Sequence, residues 1–267
     1  MRVEMVTEPG SPDVPNEDYV AAALPASGHG GALVALDGVT PPPGEDGCVH
    51  GVPWYTARLG GALLELSTSR RDLTLAQCLA DAVSRTSAAH APTCDLSHPR
   101  TPQATVVVAR WDASSVEYLV LSDSVLLVEP VAGGVRAVLD PRLDDLLPAF
   151  RGLPRAERIA GIEALRNTAG GFHTAAADPA VAGQAVTGSL PRDQVRALLA
   201  LTDGATRWTE VFAQGDWQAL LATVHKEGPR ALVARVRAAE AADPDGTAFP
   251  RGKVRDDASA VLVELST

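Results

Sequence analysis

Apolar residues along the first half of the chain form short runs with the spacing of strands and one long block with the spacing of helices. The runs at residues 2–7, 18–24 and 32–36 are flanked by proline and glycine, which predicts three strands. Residues 54–91 contain no proline and carry spaced leucine and alanine, so they predict two helices with a break near residues 67–71. Three β-branched, apolar runs follow at residues 105–111, 116–121 and 125–128, separated by short polar turns. They predict an antiparallel meander.

The second half repeats this order of helical block and strand. Helical periodicity returns over residues 141–169, and an apolar run occupies residues 195–201. Residues 206–241 predict helices with breaks at Gly215 and at Gly228–Pro229, and residues 258–265 predict a final strand. Helices that come in blocks favour an α+β sandwich of antiparallel sheets covered by helices over a doubly wound sheet.

Composition narrows the function classes. The 267 residues are 46% hydrophobic, which is enough for a full core, and no apolar run approaches the ~20 residues that span a bilayer. The N-terminus lacks the apolar core of a signal peptide, so a cytoplasmic protein is expected. A formal net charge of −10 disfavours binding to nucleic acid or to an acidic membrane. The oligomeric state stays open.

Cysteine and histidine show no metal-binding spacing. Cys48, Cys78 and Cys94 form no CxxC pair, and an odd number argues against a disulfide framework, so we interpret them as small hydrophobic residues. The six histidines form no HxxxH or HExxH pattern, and no zinc site is predicted. His50 follows the second acidic motif described below; it is either a proton donor that reaches an active site or a structural residue.

Acidic residues recur where predicted strands end or begin. Asp37-Gly38, Asp123 and Asp203-Gly204 follow apolar runs, and Asp256-Asp257 opens the last strand. One such aspartate is usually a turn residue. Four of them at the rim of one core would crowd negative charges, and a divalent cation would relieve the repulsion. Oxygen ligands alone favour Mg²⁺ or Mn²⁺ over Zn²⁺. The glycine after Asp37 would let a backbone carbonyl join the ligands.

In order, Asn-Glu-Asp (16–18), Leu-Asp-Gly (36–38), Ser-Asp-Ser (122–124), Thr-Asp-Gly (202–204) and Arg-Asp-Asp-Ala-Ser (255–259) resemble the motif series of the bacterial metal-dependent protein phosphatases, the 2C or PPM family. The resemblance covers residues 3–265. It implies a four-layer α-β-β-α sandwich in a single domain over residues 1–267, with a flap and helical insertion at about 129–194. It also implies a phosphoserine or phosphothreonine phosphatase that acts on a phosphorylated protein, with water activated by two Mn²⁺ or Mg²⁺ ions.

The same resemblance implies the role of each site residue. Asp37 would bridge both ions, the Gly38 carbonyl would bind one, and Asp203 and Asp256 would bind the other. A third ion would lie at Asp123. Residues that would hold metal-bound waters are Glu17 and Asp18, with Asp257 beside them.

One departure from the family pattern bears on the substrate. The family places a phosphate-binding arginine four residues before Glu17, where this chain has Asp13, and an acid there would repel a phosphate. Arg207, just after the Thr-Asp-Gly motif, is a candidate replacement. Two other interpretations stay open. One is a regulatory 2C-fold module of little or no activity that binds a metal or a phosphorylated partner. The other is a two-metal enzyme for small phosphate esters.

Overall fold

Strands and helices alternate in blocks in the computed structural model, which describes residues 1–26 and 30–265. The ten strands of that part of the chain are β1 (Arg2–Glu8), β2 (Tyr19–Ala23), β3 (Gly31–Leu36), β4 (Val106–Trp111), β5 (Ser115–Leu121), β6 (Val125–Pro130), β7 (Arg136–Val138), β8 (Val186–Pro191), β9 (Val195–Leu201) and β10 (Ala258–Glu264). Its α-helices are α1 (Val52–Ser69), α2 (Leu75–His90), α3 (Arg142–Leu146), α4 (Arg155–Leu165), α5 (Asp203–Glu210), α6 (Trp217–Glu227) and α7 (Pro229–Ala242). Short 3₁₀ turns lie at Leu147–Phe150, Pro179–Gln184 and Arg192–Gln194.

The strands form two antiparallel five-stranded sheets. The first sheet has the order β1-β10-β9-β6-β7, and the second has the order β2-β3-β4-β5-β8. Strand β3 shows how they stack: Leu33 and Ala35 pack between the sheets, while Val34 and Leu36 pack under α1 and α2. This period-two alternation with both faces apolar places β3 between two core layers. A third core layer lies between the first sheet and α5, α6 and α7. The predicted α+β sandwich of four layers is confirmed.

The predicted antiparallel meander is wrong at its last strand. Strands β4 and β5 do form a hairpin, but β6 pairs with β9 in the first sheet and makes no pair with β5. The chain changes sheets at Ser122, whose φ of 69° lies in the left-handed region. Apolar alternation predicts strands but does not say which sheet receives them, because both sheets bury the same kind of face.

Two short strands lie where no strand was predicted. Strand β8 pairs with β5 at the edge of the second sheet, and β7 pairs with β6 at the edge of the first. Both lie within the range 129–194 predicted as flap and insertion, together with α3 and α4, which bury no residue fully. A flap function for this range stays a prediction. None of the helices in the described residues has the length and hydrophobicity that crossing a membrane requires.

Candidate metal centre between the two sheets

Two predicted site residues meet where the sheets come together. Asp37 directly follows β3 of the second sheet, and Asp203 follows β9 of the first sheet and begins α5. The backbone N–H of Asp203 donates a hydrogen bond to Asp37 Oδ2 over 3.3 Å, and the backbone N–H of Asp37 donates to Thr105 Oγ1 over 3.2 Å. Strand ends from different sheets therefore bring these two carboxylates side by side.

Both glycines after these aspartates fill positions where a side chain does not fit. A Cβ on Gly38 would lie 2.5 Å from the Glu17 carbonyl oxygen and from Val52 Cγ1, and one on Gly204 would lie 1.9 Å from the Asp257 carbonyl oxygen. Gly204 thus lets the start of α5 touch the start of β10, which carries Asp256 and Asp257. Both glycines thus allow a close backbone contact, while the Gly38 carbonyl as a metal ligand stays a prediction.

A cavity of about 270 Å³ opens onto this junction. The site residues that line it are Asp37, Gly38, Asp123, Asp203 and Asp256. Three basic side chains also line it, Arg166, Arg207 and Lys253. The structure therefore brings four predicted strand-end carboxylates to one place.

The electrostatics of this cluster favour a cation. Burial, followed by the negative charges of Asp203 and Asp18, raises the pKa of Asp37 well above its usual range. Burial and the charge of Asp123 raise the pKa of Asp203, and burial raises the pKa of Asp18 to about 8. Asp18 Oδ1 and Asp203 Oδ1 are buried and lack a hydrogen-bond partner among the described residues. Orphaned carboxylate oxygens in an oxygen-only cluster fit a divalent cation such as Mg²⁺ or Mn²⁺.

Asp256 differs, because cations of the chain already hold it. Its Oδ2 accepts a hydrogen bond from Arg207 Nη2 over 2.9 Å, and its Oδ1 accepts one from Lys253 Nζ over 2.7 Å. Burial and Asp203 raise the Asp256 pKa to about 6 against the opposing charges of Lys253 and Arg207. The second terminal nitrogen of Arg207 binds Glu240 over 2.8 Å, and Arg207 is only 5% exposed. This pairing does not support Arg207 as the replacement phosphate ligand, because buried carboxylates engage both of its terminal nitrogens.

The predicted water-holding residues lie around the N-terminal loop. Asp257 accepts hydrogen bonds from the backbone N–H groups of Gly10 (2.8 Å) and Glu17 (2.6 Å) and so fixes this loop against β10. The Glu17 carboxylate accepts a hydrogen bond from Thr40 Oγ1. Asp18 Oδ2 accepts one from Thr202 Oγ1 over 2.9 Å. Asp257 therefore positions backbone, while Glu17 and Asp18 direct carboxylates toward the strand ends.

No protein-family model and no curated protein sequence matches the chain. The serine/threonine phosphatase Stp1 of Staphylococcus aureus aligns over 99% of this chain and 95% of its own, with a TM-score of 0.59 and 12% identity. A serine-threonine phosphatase 2C of Toxoplasma gondii aligns over 98% and 94%, with a TM-score of 0.59 and 14% identity. The catalytic domain of the phosphatase PstP, solved with two manganese ions, aligns over 98% and 97%, with a TM-score of 0.59 and 13% identity.

The chain has the fold of the 2C-type protein phosphatases. The alignments cover nearly all of this chain and of each known chain. The resemblance of five short motifs thus correctly indicated the 2C fold, although identity is too low for the fold to decide activity.

The turn that carries Asp123 is held by an ion pair of the neighbouring loop. Ser122, in the left-handed region, donates its backbone N–H to Asp140 Oδ2 over 2.9 Å, and Arg142 holds Asp140 through two hydrogen bonds of 2.6 and 2.7 Å. Burial raises the Asp123 pKa. The buried Asp140–Arg142 pair thus fixes the turn that presents Asp123.

A second cavity of about 560 Å³ adjoins Asp123 and Asp203 and holds acidic residues that the sequence analysis missed. Asp144 of α3 and Glu210 of α5 line it. Glu210 follows Asp203 by seven residues, so both lie on one face of α5, and this spacing was a usable signal. The sequence around Asp144 carries no such spacing signal, because its place in this cavity depends on how α3 packs in the fold.

His50 does not lie in either cavity. Its ring stacks on Trp54, with 4.1 Å between centroids, and its Nδ1 lies 3.3 Å from Cys94 Sγ. The structure thus favours the structural interpretation of His50 over that of a proton donor to the acidic cluster.

Proposed function

We propose that the protein is a metal-dependent phosphoserine/phosphothreonine phosphatase, a hydrolase. The observation that carries this proposal is the meeting of Asp37 and Asp203 across the two sheets of a 2C fold, with the buried Oδ1 of Asp203 lacking a hydrogen-bond partner within residues 1–26 and 30–265. A phosphorylated protein as substrate and a cytoplasmic location are the corresponding predictions. The 2C-type enzymes of similar fold support the choice of reaction.

The residues present fit two divalent cations. Asp37 with the Gly38 carbonyl would bind one and share the other with Asp203 and Asp256, and Asp123 would bind a third. Bound Mn²⁺ or Mg²⁺ supplies Lewis acidity that makes water nucleophilic near neutral pH and neutralises phosphoryl oxygens. Manganese in the structure of PstP supports this choice of metal.

The chain's own residues have two tasks at this site. Glu17 and Asp18, as hydrogen-bond acceptors, would orient waters at the edge of the metal cluster. Asp257 and Gly204 would keep the N-terminal loop, α5 and β10 in the positions that bring the carboxylates together.

Lys253 is our candidate for the phosphate contact in place of the family's arginine. Its side chain is 42% exposed and lines both the acidic cavity and an adjoining cavity of about 510 Å³ that borders the N-terminal loop. Arg207 is buried and doubly paired, whereas Lys253 has solvent access and, in the part of the chain that the structure describes, one carboxylate partner. An ammonium group here would oppose the charge that Asp13 brings to this loop.

The direct test is hydrolysis of an aryl phosphate and of a phosphoserine peptide with Mn²⁺, with EDTA, and in Asp37→Asn and Asp203→Asn. We expect Mn²⁺-dependent turnover that EDTA and either substitution abolishes. Turnover no higher in the wild type than in the variants would overturn the proposal. Mn²⁺-dependent hydrolysis of the aryl phosphate without hydrolysis of the phosphoserine peptide would instead support an enzyme for small phosphate esters.

The ion pairs of Asp256 also favour the second candidate, a regulatory module with little activity. Arg207 and Lys253 partly neutralise the carboxylate that a second metal would need. Calorimetry with Mn²⁺ distinguishes the candidates. Two bound ions with turnover support the enzyme, one ion without turnover supports the module, and no binding excludes a metal site of either kind.

A further inference from the structure

A second group of metal-ligating side chains lies away from the acidic cluster. Cys48, His50, His90 and Cys94 each direct one ligand atom to a common point, and these four atoms all lie within 4.8 Å of one another. The two sulfurs are 3.6 Å apart, and His50 Nδ1 lies 3.3 Å from Cys94 Sγ and 3.9 Å from Cys48 Sγ. His90 Nε2 lies 3.6 Å from Cys48 Sγ.

The four sulfur–sulfur and sulfur–nitrogen separations given above are close to those of a tetrahedral site. An ion with Zn–S bonds of about 2.3 Å and Zn–N bonds of about 2.0–2.1 Å holds its sulfurs about 3.8 Å apart and a sulfur and a nitrogen about 3.6 Å apart. We propose that Cys48, His50, His90 and Cys94 bind one structural zinc ion. Two thiolates with two imidazoles form a donor set that selects Zn²⁺ over the Mg²⁺ or Mn²⁺ suited to the aspartates.

The surroundings of His90 indicate that its imidazole ring would gain from a metal ligand bond. His90 is 2% exposed, and the Cys48 sulfur is the polar neighbour that its ring contacts at hydrogen-bonding distance within the described part of the chain. A thiol is a weak partner for a buried imidazole, whereas a metal–nitrogen bond compensates for the loss of water.

Aromatic rings cover one side of the site. The His50 ring stacks on Trp54, and the Trp54 and His90 rings lie 4.8 Å apart between centroids. The Cys94 N–H donates to the His90 carbonyl oxygen over 3.1 Å, which continues the last turn of α2 into the ligand. Four protein ligands leave no open coordination position, so we assign the ion a structural role.

The fold explains why the linear sequence hides this site. Helices α1 and α2 form an antiparallel hairpin, so the loop that enters α1 lies beside the turn that leaves α2. The loop carries Cys48 and His50, separated by one residue, and the turn carries His90 and Cys94, separated by three. The interpretation of Cys48 and Cys94 as mere small hydrophobic residues, and the prediction of no zinc site, do not anticipate this juxtaposition.

A zinc ion here would anchor the segment that leaves the acidic cluster. Residues 39–51 connect Gly38 to α1 with almost no regular secondary structure. The Asp95 N–H donates to the Gly47 carbonyl oxygen over 2.8 Å, so one backbone hydrogen bond joins this segment to the turn after α2. Zinc ligation would fix the far end of a segment whose near end lies at Gly38.

The test uses the full chain without a histidine tag, purified under reducing conditions, with metals measured by mass spectrometry. We expect about one zinc per chain, retained in Asp37→Asn, where the acidic cluster is impaired. Cobalt substitution should give the visible bands of a tetrahedral ion and a thiolate-to-cobalt charge-transfer band. Zinc and these bands should fall at least about tenfold in Cys48→Ser, Cys94→Ser and His50→Ala.

Two variants serve as controls. Cys78→Ala, which removes the third cysteine from the core of α2, should retain zinc. His50→Cys supplies another zinc ligand at the same position and should restore the ion that His50→Ala loses. If the serine variants do not fold, removing zinc from the wild type with a thiol-compatible chelator, followed by thermal unfolding, still tests the site.

The competing occupant of this cluster is a Cys48–Cys94 disulfide. In protein purified without reductant, a zinc-free chain with one titratable thiol of the three would establish the disulfide and overturn the zinc proposal. A zinc-free chain with three free thiols would overturn it as well. The outcome is independent of phosphatase activity, because it is read from metal content, thiols and spectra.

Discussion

The backbone N–H of Asp203 donates to the carboxylate of Asp37, so the first turn of α5 in one half of the sandwich contacts the end of β3 in the other half. The carboxylates of Asp37 and Asp203 also repel each other. The contact therefore joins the two sheets, but it leaves a charge repulsion that a bound cation would relieve.

Asp203→Asn should remove the stabilisation that comes from the Mn²⁺ ion bound by Asp203. An ion present at about 100 times its Kd stabilises a folded protein by about 2.7 kcal/mol, and the variant should lose this gain for that ion. Without metal, the variant should be at least as stable as the wild type, because one of two adjacent negative charges is gone. Thermal unfolding with Mn²⁺ and with EDTA measures both effects. Asp13→Asn, which removes an exposed charge, is the matched control and should keep the Mn²⁺ response.

The metal-free protein should become less stable as pH rises from about 5 to about 8. Burial raises the pKa of Asp18 to about 8 and of Asp256 to about 6, above their values in the unfolded chain. Between the unfolded and the folded pKa of each group, the folded chain holds a proton that the unfolded chain has released. The free energy of unfolding therefore falls as the pH rises toward the folded pKa. Excess Mn²⁺ should flatten the dependence, because it favours the ionised carboxylates. Denaturant unfolding at several pH values checks this, and a metal-free profile that rises over this range would contradict it.

Ser122→Gly should stabilise the protein by about 1 kcal/mol. Ser122 has a φ of 69°, a conformation that costs an L-residue about 1–2 kcal/mol and glycine little. Ala213→Gly, with a φ of 49°, should give a similar gain, whereas Asn167→Gly should give less because asparagine tolerates this region. Urea midpoints for the three variants measure the order, and an equal gain at all three would show that backbone strain is not the cause.

Gly38→Ala should destabilise the protein by about 1–3 kcal/mol and weaken Mn²⁺ binding. The new Cβ would lie 2.5 Å from the Glu17 carbonyl oxygen, so the N-terminal loop must move. Gly61→Ala is the matched control. No atom lies within 4 Å of the added Cβ on this exposed face of α1, and alanine favours helix, so a gain of up to about 1 kcal/mol is expected.

Lys253→Ala should lower kcat/KM for a phosphopeptide by about 10–100-fold, because a charge-assisted hydrogen bond to phosphate contributes about 1.5–3 kcal/mol. Lys253→Arg should keep most of the activity. Lys226→Ala is the control, since the other lysine of the chain is an exposed residue of α6. Equal activity in Lys253→Ala and Lys226→Ala would exclude the phosphate contact.

The local pattern of apolar and polar residues was sufficient to predict most of the strands and helices. Apolar alternation located strands such as β3 and β9, and helix breaks at Gly228–Pro229 and between α1 and α2 lie close to where they were expected. The pairing of β6 with β9 was missed, because an apolar strand fits either sheet and only the turn at Ser122 decides.

In the candidate sites, too, residues with a local sequence signal were predicted and residues that depend on long-range contacts were missed. Asp37 and Asp203 were found because each ends a strand next to glycine. Lys253 and the partners of Arg207 were not, since their roles depend on long-range ion pairs. The approach of Cys48 to His90 depends on the helix hairpin of residues 52–90, and no short motif encodes a contact over that separation in sequence.

The ion pair between Lys253 and Asp256 has a consequence for the order of events at the proposed site. A metal ion bound through Asp256 Oδ1 would compete with the ammonium group of Lys253 for that oxygen. The ammonium group would then be available beside the cavity. Loading with metal would thus prepare the phosphate contact, and the substrate would bind second.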